Sequence, residues 1–372
     1  MIRLGVLGCG DVAFRTYLPG LAALRGRVAV SACTDPIAPR AAQFAEEVGA
    51  LLGEPCAVYP TLDDMLKAPG LDGVLNLSPA PYHFDTTSQI LNAGLNCYSE
   101  KPIAGTLEEA RALMRLADDR GVMLLCAPAT MASSRFRWLK EQIDSGLIGR
   151  PTLITAQQAN MGPALWREYK GDPAVFYTEK VGPTLDTGVY PLHGMTGLLG
   201  PATSVSAVGG IVNPERISTI PERYGERIAV TGNDLMLIHL TWGGPDGPAF
   251  GQLFSSFSTP RTTQPVFEIH GERGSISIAD IPTWYDLSRP VDLLLLNPSR
   301  DGKYETWVKA GPDDIGPVTQ PIQSGPLHFV DVLAGREQPI LSAAHATHVL
   351  EIIRGAEQSA RQGGAPVMLE GF

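Results

Sequence analysis

Two stretches of the sequence carry side chains that could move a proton. The first, residues 98–102, contains Lys101, and the second, residues 182–193, contains Asp186, Tyr190 and His193. If the second stretch is helical, positions 186, 190 and 193 share one face, because residues three and four apart stack along a helix. A tyrosine alone is a poor base at neutral pH, since its pKa is about 10, but a nearby ammonium favours the phenolate and lowers that pKa. The spacing therefore predicts acid–base chemistry by Tyr190 or His193, tuned by Lys101, with Asp186 in the same pocket.

Each of these four residues also has a purely structural interpretation. A lysine before a proline at a strand end is ordinarily a surface residue, and an aspartate at this position could cap a helix. A buried tyrosine or histidine can satisfy its polar atoms locally. The sequence leaves these alternatives open, and it does not choose between Tyr190 and His193 as the acid–base group.

A glycine-rich turn directly follows the first apolar run. Residues 8–13 read Gly-Cys-Gly-Asp-Val-Ala, which is the G-x-G-x-x-A form of a dinucleotide-binding loop. The first glycine permits the tight turn, the second lets the backbone approach a pyrophosphate, and the small third residue lets helix and strand pack closely. The phosphates then meet N–H groups at a helix N-terminus. The residues expected to contact a dinucleotide here are Gly8, Gly10, Asp11 and Val12.

Asp35 ends the second predicted strand, where a carboxylate can hold the ribose hydroxyls of a dinucleotide. A carboxylate repels a 2′-phosphate, so NAD is favoured over NADP, although Arg40 lies nearby and could soften that preference. The alternative is that Asp35 only caps the segment that begins at Pro36.

Three further residues follow the apolar run 73–77. Ser78, Pro79 and His83 are expected to border the cofactor, because loops at the C-terminal ends of parallel strands line the ligand crevice. A lone histidine is more often structural than functional, so the interpretation of His83 stays open.

Short apolar runs alternate with helical segments through residues 1–125, and the predicted helical segments lie at 17–23, 39–52, 82–93 and 107–119. The runs at 4–7, 28–30, 73–77, 96–98 and 122–125 are continuous, which is typical of strands buried on both faces. The pattern predicts an α/β Rossmann domain with a doubly wound parallel sheet.

Beyond residue 125 the rhythm changes. Longer strand-like stretches lie at 151–158, 203–212, 234–242, 251–258, 267–270, 275–278 and 292–296, with helices at 135–145, 327–333 and 344–361. The predicted second domain, 126–372, is an α+β domain with a large, mostly antiparallel open sheet, and its C-terminal helix could pack back toward the first domain.

Composition excludes several function classes. The 372 residues have a formal net charge of −10 and no run of Lys and Arg, which argues against a nucleic-acid partner. The sequence contains no stretch of 18 apolar residues, so we predict no membrane span. The N-terminus runs directly into a strand and leaves no room for a signal peptide, so we expect a cytoplasmic protein. Five cysteines without a C-x-x-C pair predict no disulfide framework, and His345 and His348 lack a suitably spaced carboxylate for a metal site.

Four motifs occur together in this chain: Glu100-Lys101-Pro102 after a Rossmann strand, Asp-x-Gly-x-Tyr at 186–190, Gly-Leu-Ile-Gly-Arg-Pro at 146–151 and the turn at 271–275. Together they resemble the Gfo/Idh/MocA oxidoreductase family. The resemblance covers almost the whole chain. It implies an NAD(P)-dependent oxidoreductase that transfers a hydride between nicotinamide and a secondary alcohol or ketone of a sugar, cyclitol or related polyol.

The resemblance also implies roles for single residues. Lys101 matches the family lysine near the nicotinamide and the reacting hydroxyl, and Glu100 matches the residue beside it that contacts the nicotinamide side. Asp186 matches the acid that orients the substrate, and Tyr190 falls where many members carry histidine and some carry tyrosine. Arg167 lies in a loop that approaches the substrate in the family, so it is either a substrate ligand or a solvated loop residue.

Two other functions fit the same motifs. In one, the dinucleotide stays bound while one sugar is oxidised and another reduced. In the other, the protein is a nucleotide-binding regulator without turnover, although retention of Lys101, Asp186 and Tyr190 argues against it. Because an apolar sheet face left in water is a liability, we also expect a homodimer or homotetramer built through the sheet of the second domain.

Overall fold

The computed structural model describes residues 1–278, 291–295, 308–310 and 321–372. The chain divides into a first unit, Met1–Ser133 with Thr319–Leu350, and a second unit, Ser134–Val318 with Glu351–Phe372. The sequence analysis divides the chain once, after residue 125. In the structure the first unit continues to Ser133 and takes up a second, later segment of the chain.

The apolar runs of the first unit form a six-stranded parallel sheet with the order β3-β2-β1-β4-β5-β6. This order, which reverses direction at β1, confirms the predicted doubly wound Rossmann sheet. All four residues of β4 are buried, as expected for a strand that is covered on both faces. The strands are β1 (Ile2–Leu7), β2 (Val28–Thr34), β3 (Ala57–Val58), β4 (Gly73–Asn76), β5 (Asn96–Ser99) and β6 (Leu124–Cys126).

Helices lie between these strands and in the rest of the chain. The described residues contain α1 (Leu18–Leu21), α2 (Ala38–Leu52), α3 (Leu62–Met65), α4 (His83–Asn92), α5 (Leu107–Arg120), α6 (Ser134–Asp144), α7 (Val189–Leu199), α8 (Pro321–Leu333) and α9 (Ala343–Arg361). No helix among these residues has the length and apolar content needed to span a bilayer.

Local signals explain the ends of the helices. Thr106 and Glu109 form a reciprocal capping box at the start of α5, and Gly121 ends the helix in the left-handed conformation. The predicted helix 17–23 is different in the structure, because the segment after the glycine loop starts as a π-helical turn, Ala13–Tyr17, and continues into the short α1. Proline and glycine within α1 are poor residues for a long helix.

Apolar packing explains why the late segment belongs to the first unit. The fully buried ring of Phe329 in α8 packs against β4, where a Cβ on Gly73 would lie 2.7 Å from the ring. The same ring lies 6.1 Å from the ring of Tyr98 on β5. Cys126 at the end of β6 donates its backbone N–H to Leu341. These contacts form only in the folded sheet, so no local sequence pattern predicts them.

The second unit contains a nine-stranded sheet with the order β16-β15-β14-β13-β7-β12-β11-β8-β17. Only the β7–β12 pair is parallel within these strands, which confirms the predicted mostly antiparallel sheet. The strands are β7 (Pro151–Ala159), β8 (Ser204–Gly210), β11 (Leu235–Trp242), β12 (Ala249–Ser256), β13 (Phe267–Gly271), β14 (Gly274–Ile278), β15 (Val291–Leu295), β16 (Val308–Ala310) and β17 (Val367–Met368). The predicted strand 292–296 corresponds to β15, and residue 296 lies outside the described residues.

A separate hairpin, β9 (Glu215–Ile217) with β10 (Arg227–Ala229), is absent from the sequence analysis. It is attached by a buried ion pair in which Arg216 donates to Asp234 at 2.6 Å. Asp234 also accepts the backbone N–H groups of Val212 and Asn213 and the hydroxyl of Ser258. The carboxylate is 1% exposed, and these four hydrogen bonds take the place of the water that burial removes.

Candidate active site

The glycine loop has the conformation and the close packing that its sequence predicts. Gly8 adopts φ +90°, and a Cβ there would lie 2.7 Å from the carbonyl oxygen of Leu77. Gly10 lies where a Cβ would meet none of the described atoms within 4 Å, so its backbone is open on that side. Ala13 is fully buried and donates its N–H to the carbonyl of Gly10. The loop therefore offers the close backbone approach that a pyrophosphate needs.

The remaining side chains of the loop differ in exposure. Asp11 is exposed and pairs with Arg15 at 2.9 Å, one turn further on, and Val12 is half-buried. The thiol of Cys9 lies under the loop. Its hydrogen bond with Cys33, together with burial, raises its pKa, so Cys9 is a neutral packing group. Cys9 therefore behaves as a small apolar residue.

Asp35 connects the end of β2 to the glycine loop. Its Oδ2 accepts the backbone N–H of Cys9 at 2.8 Å, and its Oδ1 accepts the N–H of Ile37 at the same distance. The second bond is the local cap that the sequence allows as an alternative. The first bond holds the loop, which the sequence does not reveal. The ribose role of Asp35 stays a prediction, as does the influence of Arg40, which lies exposed in the first turn of α2.

A buried amide organises the end of β4. Asn76 is fully buried and donates to the hydroxyls of Thr86 and Thr87 at 2.9 and 3.0 Å, and its Oδ1 accepts the hydroxyl of Ser78 at 2.7 Å. Ser78 is buried through this contact, and Pro79 is exposed beside it. Sequence analysis passed over Asn76, for which the only signal is a polar residue at the end of a continuous apolar run.

His83 begins α4 and is 1% exposed. Its Nδ1 lies 2.6 Å from the carbonyl oxygen of Pro102, and its Nε2 lies 2.7 Å from that of Ser78. Both ring nitrogens thus face backbone acceptors, and only the carbon edge of the ring remains for a dinucleotide. Cofactor contact by His83 stays a prediction.

The segment after β5 is held through Glu100. Its backbone N–H donates to the carbonyl of Asn76 at 2.9 Å. Its Oε1 accepts the hydroxyl of Tyr17 at 2.6 Å, and its Oε2 accepts the backbone N–H of Lys101 at 2.9 Å. Burial, reinforced by the charge of Glu100, raises the pKa of Tyr17 well above its usual value, so the phenol remains a donor. Lys101 itself is half-buried.

The predicted residues of the second unit share one helical segment. Asp186 lies in a π-helical turn, Thr184–Gly188, which leads directly into α7. Asp186 is half-buried, and Tyr190 and His193 are 5% and 4% exposed. Gly188, not Asp186, stands at the N-cap of α7. The predicted helical stretch through 186–193 is therefore present, and the aspartate lies inside it.

Close packing fixes this helical segment against the sheet. A Cβ on Gly188 would lie 3.0 Å from the hydroxyl oxygen of Ser255 on β12, and one on Gly194 would lie 2.6 Å from the ring of Phe136. The hydroxyls of Thr184 and Ser255 are buried, and neither has a hydrogen-bond partner among the described residues. These two groups are absent from the sequence analysis.

Arg167 is exposed, after a 3-10 turn at Pro163–Leu165. It lies in the second unit with Asp186, whereas Lys101 lies in the first. The convergence of Lys101 with Asp186, Tyr190 and His193 stays a prediction. Within the part of the chain that the structure describes, no group of three His, Cys, Asp or Glu side chains could hold a metal ion.

Comparison with known proteins supplies the family. Residues 2–127 match the model of an oxidoreductase family with an NAD-binding Rossmann fold, and residues 136–277 match the GFO/IDH/MocA C-terminal domain. The chain belongs to the Gfo/Idh/MocA oxidoreductase family.

Its relatives in this family include sugar and cyclitol enzymes. The chain is 30% identical to a dTDP-3,4-didehydro-2,6-dideoxy-alpha-D-glucose 3-reductase from Actinomadura kijaniata, over 73% of this chain and 80% of the relative. It is 27% identical to a scyllo-inositol 2-dehydrogenase (NAD(+)) from Bacillus subtilis, over 75% and 74%. A solved oxidoreductase from Agrobacterium radiobacter, in complex with NAD+, L-tartaric acid and magnesium, has a TM-score of 0.75 at 19% identity and covers 99% of this chain and 98% of its own.

Membership of the Gfo/Idh/MocA family confirms the predicted class of enzyme, an NAD(P)-binding oxidoreductase of the dehydrogenase and reductase type. It also confirms the resemblance drawn from the motifs around Lys101 and Asp186. Membership of the family does not decide the roles of the single residues, which stay predictions.

Proposed function

We propose that this protein is a dehydrogenase or reductase that transfers a hydride between NAD(P) and a secondary alcohol or ketone of a sugar, cyclitol or related polyol. The observation that carries the proposal is the hydrogen-bond network in the first unit that joins Tyr17, in the helical turn after the glycine loop, through Glu100 to the backbone of Lys101. The proposed alcohol oxidation requires a dinucleotide-binding loop and a lysine held in place. The described residues of the first unit contain both. The bound nicotinamide supplies the hydride acceptor or donor.

The cofactor would be held by the glycine loop and the end of β2. Gly8 and Gly10 present the backbone to the pyrophosphate, because side chains there would collide with Leu77 or block the open side. Asp35 is held by two N–H donors, and a carboxylate in that position would accept ribose hydroxyls and repel a 2′-phosphate. The proposal therefore favours NAD, while the exposed Arg40 leaves NADP as the other candidate.

Proton transfer would fall to Lys101, Asp186, Tyr190 and His193. Loss of a hydride from a carbinol carbon requires loss of the hydroxyl proton. Tyr190 or His193 would take that proton, Lys101 would tune the base by its positive charge, and Asp186 would hold a neighbouring hydroxyl. Exposed Arg167 would bind a further hydroxyl or a carboxylate of the substrate.

The relatives suggest the class of substrate. One acts, by its name, on a dTDP-linked didehydro-dideoxyglucose and the other on scyllo-inositol. One name describes a six-carbon sugar and the other a cyclitol, and both belong to the substrate class that we propose here.

We also propose that the second unit forms a homodimer or homotetramer through its sheet. Along β11 the side chains of Met236, Ile238, Leu240 and Trp242 are buried, whereas the opposite face leaves Phe250 52% and Val208 52% exposed on neighbouring strands. Apolar side chains in water favour association. A monomer at micromolar concentration in size-exclusion chromatography would contradict this assignment.

The five unpaired cysteines, four of them buried, favour a reducing, cytoplasmic location.

The proposed function is tested by a panel of sugars, inositols and nucleotide-linked sugars, with absorbance of the reduced nicotinamide as the signal. Lys101→Ala is compared with Lys67→Ala, whose ammonium is an exposed surface group paired with Asp64. We expect Lys101→Ala to lose about 10²- to 10⁴-fold in kcat/KM, as removal of a positioned acid–base group does, and Lys67→Ala to keep the wild-type rate. Wild-type turnover by Lys101→Ala on a genuine substrate would refute the mechanism.

A further inference from the structure

Each polar group of Glu100 has a hydrogen-bond partner in the first unit. Its backbone N–H donates to the carbonyl of Asn76, and its carbonyl accepts the hydroxyl of Ser99. Of its carboxylate oxygens, Oε1 accepts the hydroxyl of Tyr17 at 2.6 Å and Oε2 accepts the backbone N–H of Lys101 at 2.9 Å. A polar network whose members are all satisfied favours a single arrangement. Glu100 is therefore in a position to fix the backbone of Lys101.

The chemistry of the two donors fixes the direction of both carboxylate bonds. A backbone N–H, such as that of Lys101, can only donate. Burial, reinforced by the charge of Glu100, raises the pKa of Tyr17 well above its usual value, so the phenol keeps its proton. A distance of 2.6 Å is typical of a hydroxyl that donates to a carboxylate. Both oxygens of Glu100 therefore act as acceptors.

A π-helical turn, Ala13–Tyr17, places Tyr17 within reach of Glu100. The backbone N–H of Leu18 donates to the first residue of the turn, five residues back, whereas an α-helix would bond four residues back. The extra residue rotates the side chains that follow by roughly 100°, and such turns are frequent at functional sites. Tyr17 is 1% exposed, and its ring packs edge-on against the ring of Tyr98 at 6.3 Å. Tyr17 thus joins the turn after the glycine loop to the segment after β5.

We propose that Tyr17 is a positioning residue that holds Lys101 in place through the carboxylate of Glu100. The hydroxyl of Tyr17 fixes the carboxylate, and the carboxylate fixes the backbone N–H of Lys101. Because Tyr17 ends the turn that follows the glycine loop, the same bonds set the position of Lys101 relative to that loop. The inference rests on the proposed function only in so far as Lys101 acts on the substrate.

Tyr98 provides a matched control for Tyr17. It is a neighbouring tyrosine that is also fully buried, and its hydroxyl makes no hydrogen bond to Glu100. Tyr17→Phe removes the oxygen that holds the carboxylate, whereas Tyr98→Phe removes an oxygen without that bond. Both variants keep the buried ring, so a difference between them reports the bond to Glu100 and not the loss of packing.

The position of Lys101 is tested by hydrogen exchange of its backbone amide, in the full-length protein labelled with ¹⁵N-lysine and without substrate. Lys101→Ala identifies the signal by its loss. We expect Tyr17→Phe to speed exchange of this amide by at least about 10-fold, which corresponds to the loss of one hydrogen bond to a charged group, and Tyr98→Phe to leave it unchanged. The amide of Lys67, which donates to Asp64 in the same unit, is the internal reference.

Two results of the exchange experiment would overturn the proposal. One is an exchange rate in Tyr17→Phe equal to that of the wild type. The other is an acceleration that the amide of Lys67 shares, because a general loss of stability affects both amides. Glu100→Ala is an independent variant that removes the acceptor itself, and it should speed exchange at Lys101 at least as much as Tyr17→Phe does. An unchanged rate in Glu100→Ala would also contradict the proposal.

Action through Glu100 is tested by a double-mutant cycle on kcat, calculated per site that binds a dinucleotide in calorimetric titration. We expect Tyr17→Phe to lower kcat on the order of 10²-fold, as a displacement of about 1 Å does, and Tyr98→Phe to match the wild type. In the Glu100→Ala background, Tyr17→Phe should have no further effect, because its partner is gone. An equal loss in both backgrounds would mean that Tyr17 acts independently of Glu100, and the proposal would be wrong.

Failure of the proposed function has a different signature. If Lys101→Ala keeps the wild-type rate on a genuine substrate, the proposed function fails. The exchange of the Lys101 amide is measured without substrate, so a selective acceleration in Tyr17→Phe would still show that Tyr17 holds the backbone of Lys101.

Discussion

Replacing Asp35 with asparagine should have two effects that can be measured separately. One is on the preference for NAD over NADP, and the other is on the order of the glycine loop. The carboxylate has two roles in the structure and the proposal. It accepts N–H groups from Cys9 and Ile37, one on each oxygen, and it repels a ribose 2′-phosphate. An asparagine amide has a single acceptor oxygen. Asp35→Asn therefore removes the charge and also one of the two hydrogen bonds.

Loss of the charge changes the ratio of the two affinities, because only NADP carries the 2′-phosphate that the carboxylate repels. For a carboxylate and a 2′-phosphate about 5 Å apart, Coulomb's law gives a repulsion of roughly 1 kcal/mol per phosphate charge at a dielectric constant of 80. At a dielectric constant of 20 the repulsion is roughly 3 kcal/mol. The dissociation constant for NADP divided by that for NAD should fall by about 5- to 150-fold. The lost hydrogen bond weakens both cofactors equally, and at most by about 3 kcal/mol, because reordering the loop cannot cost more than the bond that ordered it.

The assay is calorimetric titration of NAD and NADP at fixed ionic strength. Glu46→Gln, which removes the same charge from an exposed position on α2, is the matched control and should leave the ratio unchanged. An unchanged ratio in Asp35→Asn would refute the ribose role of Asp35. An equal change in Glu46→Gln would show that general charge, not this carboxylate, sets the preference.

Three further predictions concern stability and the loop. Gly8→Ala should abolish dinucleotide binding in calorimetry, because its Cβ would lie 2.7 Å from the carbonyl of Leu77 at a φ of +90°. Asp234→Ala should lower the free energy of unfolding of the second unit by about 3–5 kcal/mol in urea titrations, since it leaves the Arg216 guanidinium buried and unpaired. Burial lowers the pKa of His345 to about 4 in the folded state, so stability should fall as pH drops from about 6.5 to 4, and His345→Asn should flatten that part of the profile.

Each of these predictions has a contrasting outcome. Glu215→Ala breaks an exposed ion pair with Arg227 and should cost about 0–1 kcal/mol, so an equal effect in Asp234→Ala would mean that the buried pair contributes nothing special. NAD affinity retained in Gly8→Ala would exclude a requirement for glycine in the loop. An unaltered pH profile in His345→Asn would assign the acid-side loss of stability to other groups.

Periodicity and turn chemistry predicted a large part of the first unit. Continuous apolar runs marked its main strands, and Gly121 ended α5 close to the predicted position. Missed elements were short, such as β3, or formed by pairing alone, such as β9 with β10. Two or three residues contain too few repeats for a period of two to be recognised, and hairpin pairing depends on contacts such as Arg216 with Asp234.

Residue types and spacing predicted the chemistry that we propose for this protein. The glycine loop, the acid after β2, the lysine after β5 and the Asp-x-Gly-x-Tyr segment are local signals, because each depends on neighbours within a few residues. Only the tertiary structure decided how those groups are held. Tyr17 meets Glu100 across 83 positions of sequence, and His83 meets the carbonyl of Pro102 across 19. A hydrogen bond depends on distance in space, and parallel strands bring distant residues to the same sheet edge only after the fold has formed.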